Sequence, residues 1–314
     1  MLLSVVLPVF NEEKSIPLLF QKLQDSLREY TYEIIAVDDG SSDNTWSVLK
    51  DLAKENKQIK VLHFRRNFGQ TAAINAGVRY SKGDVIVLID SDLENDPADI
   101  PVLLKKMDEG YDVISGWRQD RWKGEFFTRK LPSMMANKLI SKISGVYLND
   151  YGCTLKAYRR DVLIGVKLYG QMHRFIPVFC KWQGGRVAEV PVSYRPRQFG
   201  KSNYGLFRIF RVFLDLILIK FLDRYMNRPG HFFGGVGLLF ILAAAASFFL
   251  ALFFKLNGQK DFVETPLPVF TAMFFTVGVL MILLGVIAEI LIRTYYEGQS
   301  NYPYTINDKA NVDD

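Results

Sequence analysis

Only two cysteines, Cys153 and Cys180, and three histidines, His63, His173 and His231, occur in the 314 residues. Two widely separated cysteines make no disulfide framework and no zinc pattern, so free thiols in a reducing compartment are expected. The histidines are too scattered for a metal site, and His173 is left open between packing and catalysis. The first strand-like run ends in PVFNEE, without G-x-G-x-x-G, which argues against the dinucleotide turn of a dehydrogenase. The opening MLLSVVLPVFNEEKS has no basic leader and runs into Asn11, Glu12 and Glu13, so it is not a secretory signal and the first domain is expected to stay on the side where it is made. The net charge of +6 comes with no basic recognition motif, which argues against nucleic acid as a partner.

Charge is also missing, entirely, from residues 232–254 and 265–288. Each stretch is long enough to cross a bilayer as a helix, which takes roughly 20 apolar residues. Arg208, Arg211, Lys220, Arg224 and Arg228 precede the first stretch, whereas the connecting KLNGQKDFVE balances its lysines with acids, so both ends of the pair are expected in the cytoplasm. The basic balance then suits anionic lipid. The expected organisation is a catalytic domain over 1–200, amphipathic juxtamembrane helices over 201–230, two spans (about 232–254 and 265–289) within 231–293, and a cytoplasmic tail over 294–314. Small residues in the first span (GGVG, AAAAS) permit close helix packing, and a homo-oligomer is expected.

What is present in the first 200 residues is alternation. LSVVLPV, EIIAVDD, IKVLHF, DVIVLID and YDVISG are short β-branched runs, separated by segments of helical spacing such as Trp46, Leu49, Leu52 and Ala53. This predicts an α/β domain, a mostly parallel Rossmann-like sheet covered by helices on both faces. Ligands of such sheets bind beyond the carboxyl ends of the strands. The residues there are Pro8 to Glu12, Asp38 to Ser42, Arg65 to Gly69 and Asp90 to Glu94. Asp90 and Asp92, spaced i, i+2 at a strand end, are oxygen ligands suited to Mg²⁺ or Mn²⁺ shared with a substrate phosphate. D-x-D alone is common by chance, and its bland alternative is a solvated turn capping a helix that starts near Pro97.

The ordered set VVLPVFNEE, VDDGSSDNT, RNFGQTAAINAG and DSDLENDP resembles the donor-binding half of an inverting family 2 glycosyltransferase of the GT-A fold. SGWRQDR, TRKLPSMMANKL, DYGCTLKAY and VPVSYRPRQFGKSNYG narrow the likeness to the polyprenyl-phosphate hexosyltransferases, the group that contains dolichyl-phosphate mannose synthase and the bactoprenol glucosyltransferases. The resemblance implies transfer of a hexose, glucose by likeness to the two-span group with mannose or another sugar as the alternative, from a UDP-sugar to polyprenyl (undecaprenyl) phosphate at the inner face of the cell membrane. It implies that Pro8, Phe10, Glu12 and Asp39 hold the nucleoside, with Asp39 accepting from the uracil N–H. Asp90 and Asp92 would hold the Mg²⁺ or Mn²⁺, joined by Glu94, where the family often has Gln. Arg118, Arg129 and Ser133 would grip the acceptor phosphate, and Arg197, Lys201 and Ser202 belong to a loop that closes over the donor phosphates. Trp117, Trp122, Phe126 and Phe127 suit a membrane interface, and Arg121, Lys123 and Lys130 headgroup contact.

Asp150 occupies the position of a general base in relatives that use hydroxyl acceptors. A phosphate monoester, with a second pKa near 6, is already largely ionised at neutral pH, so Asp150 is expected to orient rather than deprotonate. Lys156 is expected either to pair with Asp150 or to face solvent. Two rival readings are a processive polysaccharide synthase, whose Q-x-x-R-W signature QDRW misses by one residue, and a membrane-anchored scaffold with a degenerate transferase domain.

Overall fold

The computed structural model describes residues 1–119, 121, 131–164, 166, 172–196, 229–297 and 306–311. It forms two units, one from residues 1–216 with 302–314 and one from 217–301. The expected juxtamembrane helices at 201–230 fall almost wholly outside the described residues, as do Arg129, Arg197, Lys201, Ser202, Trp122, Lys123, Phe126, Phe127 and Lys130.

The five apolar runs of the sequence become β1 (Leu2–Val9), β2 (Thr31–Asp38), β3 (Ile59–Phe64), β4 (Val85–Leu88) and β5 (Val113–Trp117). They join β6 (Lys156–Arg159), β7 (Val187–Pro191) and β8 (Ile306–Ala310) in one sheet of order β7-β5-β6-β4-β1-β2-β3-β8. The centre, β4-β1-β2-β3, is parallel. The sheet as a whole is mixed, because β6 runs antiparallel between β4 and β5 and β8 antiparallel along β3.

Burial on both faces explains why β1 reads as an uninterrupted apolar run. Leu3, Val5, Leu7 and Val9 face a core built with Ile16, Leu19, Phe20 and Leu23 of α1 (Ile16–Ser26), Leu49 of α2 (Thr45–Glu55) and Leu103 of α4 (Ile100–Met107). Val6 faces the other core, with Ala73 and Ala76 of α3 (Gln70–Tyr80), Leu163 of α6 (Arg160–Ile164) and Ile176 of α7 (Ile176–Trp182). Sequential strands spread to one side of β1 while β4 lies on the other, so the carboxyl ends of β1, β2 and β4 flank the switch point where open α/β sheets bind ligands. Asn11 and Leu93, both non-glycine residues with positive φ (55° and 62°), sit just beyond β1 and β4 on this edge. Bulky residues hold that conformation only where surrounding structure enforces it.

The second unit is a pair of long helices, α8 (Pro229–Leu256) and α9 (Leu267–Glu297). A Cβ on Gly237 would lie 2.7 Å from the Gly278 carbonyl, and one on Gly278 would lie 2.9 Å from the Gly237 carbonyl, so two glycines set the closest approach of the backbones. Part of the small-residue face is therefore spent within this hairpin. Both helices are long and apolar enough to span a membrane, and only 17% and 11% of their most apolar windows are buried, unlike the core helix of a soluble protein.

The tail holds a strand that its polar sequence, INDKA, does not announce. Asn311 follows β8 and donates from its side chain to the carbonyls of Ala53 and Ile59 (2.5 and 2.9 Å). β8 thus covers the edge of β3, which would otherwise present unpaired backbone groups. Deleting residues 306–314 is expected to lower the thermal midpoint of the full-length protein and raise its light scattering on heating. Unchanged unfolding and scattering would show that the edge does not depend on β8.

Candidate active site

The turns after β1 and β2 are laced together by hydrogen bonds from backbone to side chain. Ser41 Oγ accepts from Asn11 N (2.9 Å), Asn11 Oδ1 from Ser42 N (2.8 Å), Thr45 Oγ1 from Glu12 N (2.9 Å) and Glu13 from Asn44 N (3.1 Å). Asp43 receives Thr45 N at 3.0 Å and Glu13 N at 3.3 Å, satisfying a backbone N–H at the start of α2. Asp38 is buried, accepts from Ser41 N at 3.0 Å, and lies 2.8 Å from the Nδ1 of His63, whose ring stacks on Trp46. This frame places Pro8, the exposed Phe10, Glu12 and Asp39 around one end of the edge. Both Asp39 oxygens already accept backbone N–H groups, from Phe68 (2.7 Å) and Gly69 (2.9 Å). Burial raises the Asp39 carboxyl from its ordinary range, with those two bonds opposing and the Asp38 charge assisting.

Beyond β4, Ser91 Oγ donates to the Pro8 carbonyl (3.1 Å), fastening the D-S-D turn to the end of β1. The helix-capping alternative is taken by another residue, since Asp96 accepts from Ala98 N at 3.2 Å. Asp90 Oδ1 accepts from the Gln70 amide (2.7 Å), and Asp92 Oδ1 from Glu94 N (3.0 Å). Burial, then the Asp92 charge, push the Asp90 carboxyl up to about 7 against the pull of Thr154 and Arg118. Two repelling carboxylates i, i+2 apart fit a hard divalent cation that takes its remaining oxygens from a substrate diphosphate. Among the described residues no group of three or more His, Cys, Asp or Glu forms a metal cage. Glu94, the third acid assigned to the metal by the sequence, lies 3.4 Å from Arg118 and 3.8 Å from Arg121.

Arg118 was expected to grip the acceptor phosphate. It is buried in a two-pronged pair with Asp150, Nε to Oδ2 at 2.8 Å and Nη2 to Oδ1 at 3.2 Å. Burial alone would raise Asp150, but the charge and hydrogen bonds of Arg118, with Arg121 and Lys156, hold its carboxyl below the usual range. Lys156 follows neither of its expected courses. It is buried and donates to the carbonyls of Tyr151 and Cys153, tying down the loop that carries Asp150, and burial lowers its pKa. Ser133 lies partly buried on α5 (Leu131–Ser144). His173 is packed, its Nδ1 2.9 Å from Thr71 Oγ1, and burial lowers it to about 3, so it is neutral. Cys153 and Cys180 are free and buried.

Sequence reasoning missed Glu189, which accepts from Asn149 N and Asp150 N at 3.0 Å and from the Asn149 amide at 2.8 Å. An acid inside the apolar strand VAEVP was the available signal. It also missed how the chain before Arg197 is anchored. Ser193 N donates to Asp99 (2.7 Å), Arg195 N donates to the Glu94 carbonyl (3.0 Å), and the Arg195 side chain pairs with Asp96 (2.6 Å). The segment leading to Arg197 is therefore fastened to the turn that follows the paired aspartates.

Residues 4–166, which include the turns after β1, β2 and β4, match the pattern of glycosyl transferase family 2. The chain belongs to that family. A dodecaprenyl-phosphate galacturonate synthase of Rhizobium johnstonii is 41% identical, over 97% of this chain and 91% of that protein. An undecaprenyl-phosphate 4-deoxy-4-formamido-L-arabinose transferase of Aeromonas hydrophila is 32% identical, over 98% and 93%. The resemblance to polyprenyl-phosphate transferases thus extends through the apolar hairpin. Among solved structures, glucosyl-3-phosphoglycerate synthase from Mycobacterium tuberculosis, in complex with Mn²⁺ and UDP-glucose, aligns with a TM-score of 0.53 at 18% identity, over 70% of this chain and 78% of that one. This likeness establishes the GT-A-like fold.

Proposed function

We propose that this family 2 glycosyltransferase moves a sugar from a UDP-sugar to a polyprenyl phosphate at the cytoplasmic face of a membrane, and that the sugar is a hexuronic acid of the galacturonate kind. The observation that carries the reaction class is the convergence of Asp39, the Asp90–Asp92 pair and the Arg118–Asp150 pair at one sheet edge. Glucose was the expectation from the two-span group. The 41% identity to a galacturonate synthase, sustained over 97% of the chain, favours the uronic acid.

In this reading the Asp39 end receives the nucleoside, and Asp90 and Asp92 hold Mg²⁺ or Mn²⁺ against the diphosphate. A bound cation there would offset charge on the departing UDP. An oxygen of the lipid phosphate attacks the anomeric carbon as the bond to the diphosphate breaks, and configuration inverts. The attacking phosphate needs no base near neutral pH. Asp150, held ionised by Arg118, is a weak base and serves to orient the reactants. Arg118, Arg129 and Ser133 remain candidates for the acceptor phosphate, and Arg197, Lys201 and Ser202 for the donor phosphates.

Connectivity supports the membrane arrangement. β8 follows the second apolar helix yet pairs with a strand that precedes the first, so both ends of the hairpin belong on one side, as two crossings require. The basic residues before the hairpin favour the cytoplasm for that side.

The test is incubation of purified protein with undecaprenyl phosphate, Mg²⁺ or Mn²⁺, and radiolabelled UDP-galacturonate, UDP-glucuronate or UDP-glucose, with and without EDTA. Chelator-sensitive label in the organic phase, strongest with UDP-galacturonate, is expected. Preference for UDP-glucose would overturn the uronic acid while keeping the reaction. No label from any nucleotide sugar would favour the scaffold reading.

A further inference from the structure

We infer that Gln70 is a positioning residue that links the nucleoside end of the donor site to its metal end, through the three consecutive residues Phe68, Gly69 and Gln70. Asp39 and Asp90 follow β2 and β4, which are separated by β1 and do not touch as strands. The stretch Phe68–Gln70 reaches both. The backbone N–H groups of Phe68 and Gly69 donate to the two oxygens of Asp39, and the next side chain, Gln70, donates to Asp90 Oδ1 at 2.7 Å. Gly69 makes this path available with a φ of 95°, a conformation that side chains with a Cβ rarely adopt. Gln70 opens α3, whose Ala72, Ala73 and Ala76 are buried in the core beside Val6. The donor to Asp90 therefore stands on a rigid element.

The inference rests on the proposed roles of Asp39 and Asp90. An amide donor occupies one lone pair of Oδ1 and orients the carboxylate, leaving its other lone pairs for a cation. Outer hydrogen bonds of this kind commonly tune metal affinity by about 10–100-fold. A nucleoside that settles against Asp39 loads the same short stretch that orients Asp90, so nucleotide and metal should bind with mutual reinforcement.

Gln70→Met keeps the length and bulk of the side chain and removes the donor. With full-length protein in detergent, UDP affinity without metal is measured by calorimetry, and Mn²⁺ affinity of the UDP complex by the electron paramagnetic resonance signal of free Mn²⁺. The expected result is a fall of about 10–100-fold in Mn²⁺ affinity with metal-free UDP affinity unchanged, and the same pattern in Gln70→Ala. Gly69→Ala, which strains the path itself, is expected to weaken both. Unchanged Mn²⁺ affinity in Gln70→Met would overturn the inference, and so would an equal fall in metal-free UDP affinity, which marks a merely structural role. Failure of the unsubstituted protein to bind Mn²⁺ with UDP would overturn the donor-site reading, and the inference with it.

Discussion

Arg118→Ala is expected to destabilise the glycosyltransferase domain by about 3–5 kcal/mol, because it leaves the Asp150 carboxylate buried without its partner. For a domain of this size that is on the order of 10 °C in thermal midpoint. The guanidinium satisfies both oxygens of Asp150 and reaches Glu94, so its removal strips one buried acid and loosens a second. Arg118→Lys retains a charge without the planar fork and should fall between the two. Thermal unfolding of the full-length protein followed by near-ultraviolet circular dichroism reads the effect, and an Arg118→Ala midpoint equal to that of the unsubstituted protein would refute it. The same pair sets a pH dependence. The folded pKa of Asp150 is lowered, so its stabilisation is complete above the unfolded value of about 3.9 and is lost only as pH falls through the lower folded value. Across pH 5–9 its ionisation therefore leaves transfer unchanged. Any acidic limb near pH 6 to 7 should come from the lipid phosphate or from Asp90, whose carboxyl is pushed up to about 7, and should persist in the residual activity of Asp150→Asn. Disappearance of that limb in Asp150→Asn would make Asp150 a base after all.

Asp92→Ala should reduce turnover by about 100- to 1000-fold, the scale on which removal of one group stabilising developing charge is felt. Asp92→Asn should be nearly as damaging, since the substitution retains shape and loses the charge that holds a cation. Unfolding should change little by comparison, because the bond that Asp92 accepts from Glu94 N holds a local turn at the sheet edge and not the core. Undiminished label transfer in Asp92→Ala would remove the paired aspartates from the chemistry and favour the scaffold reading.

The match between sequence and structure is uneven for identifiable reasons. β1 to β5 were legible because strands buried on both faces need continuous β-branched runs, and the two apolar helices because a span must exclude charge. β6, β7 and β8, with KAYR, VAEVP and INDKA, were not legible. Their runs are short and mix charged with apolar residues, and no periodicity marks a strand that inserts antiparallel between β4 and β5 or returns from the far end of the chain.

The acidic turn was legible too. Two aspartates at a strand end, in the ordered company of the neighbouring motifs, are enough to suggest a seat for a diphosphate and its cation. Partners were another matter. Arg118 as a phosphate ligand and Glu94 as a metal ligand followed from the family resemblance, and Lys156 was expected either to pair with Asp150 or to face solvent. Tertiary structure placed Arg118 on Asp150, Lys156 on two carbonyls, and Glu94 beside two arginines. The chain by itself determined which segments are buried, which are long and apolar enough to cross a membrane and which turns carry charge, since those depend on composition along a few residues. Which charges meet depends on distances across the sheet edge between residues up to dozens of positions apart, and only the folded domain decides them.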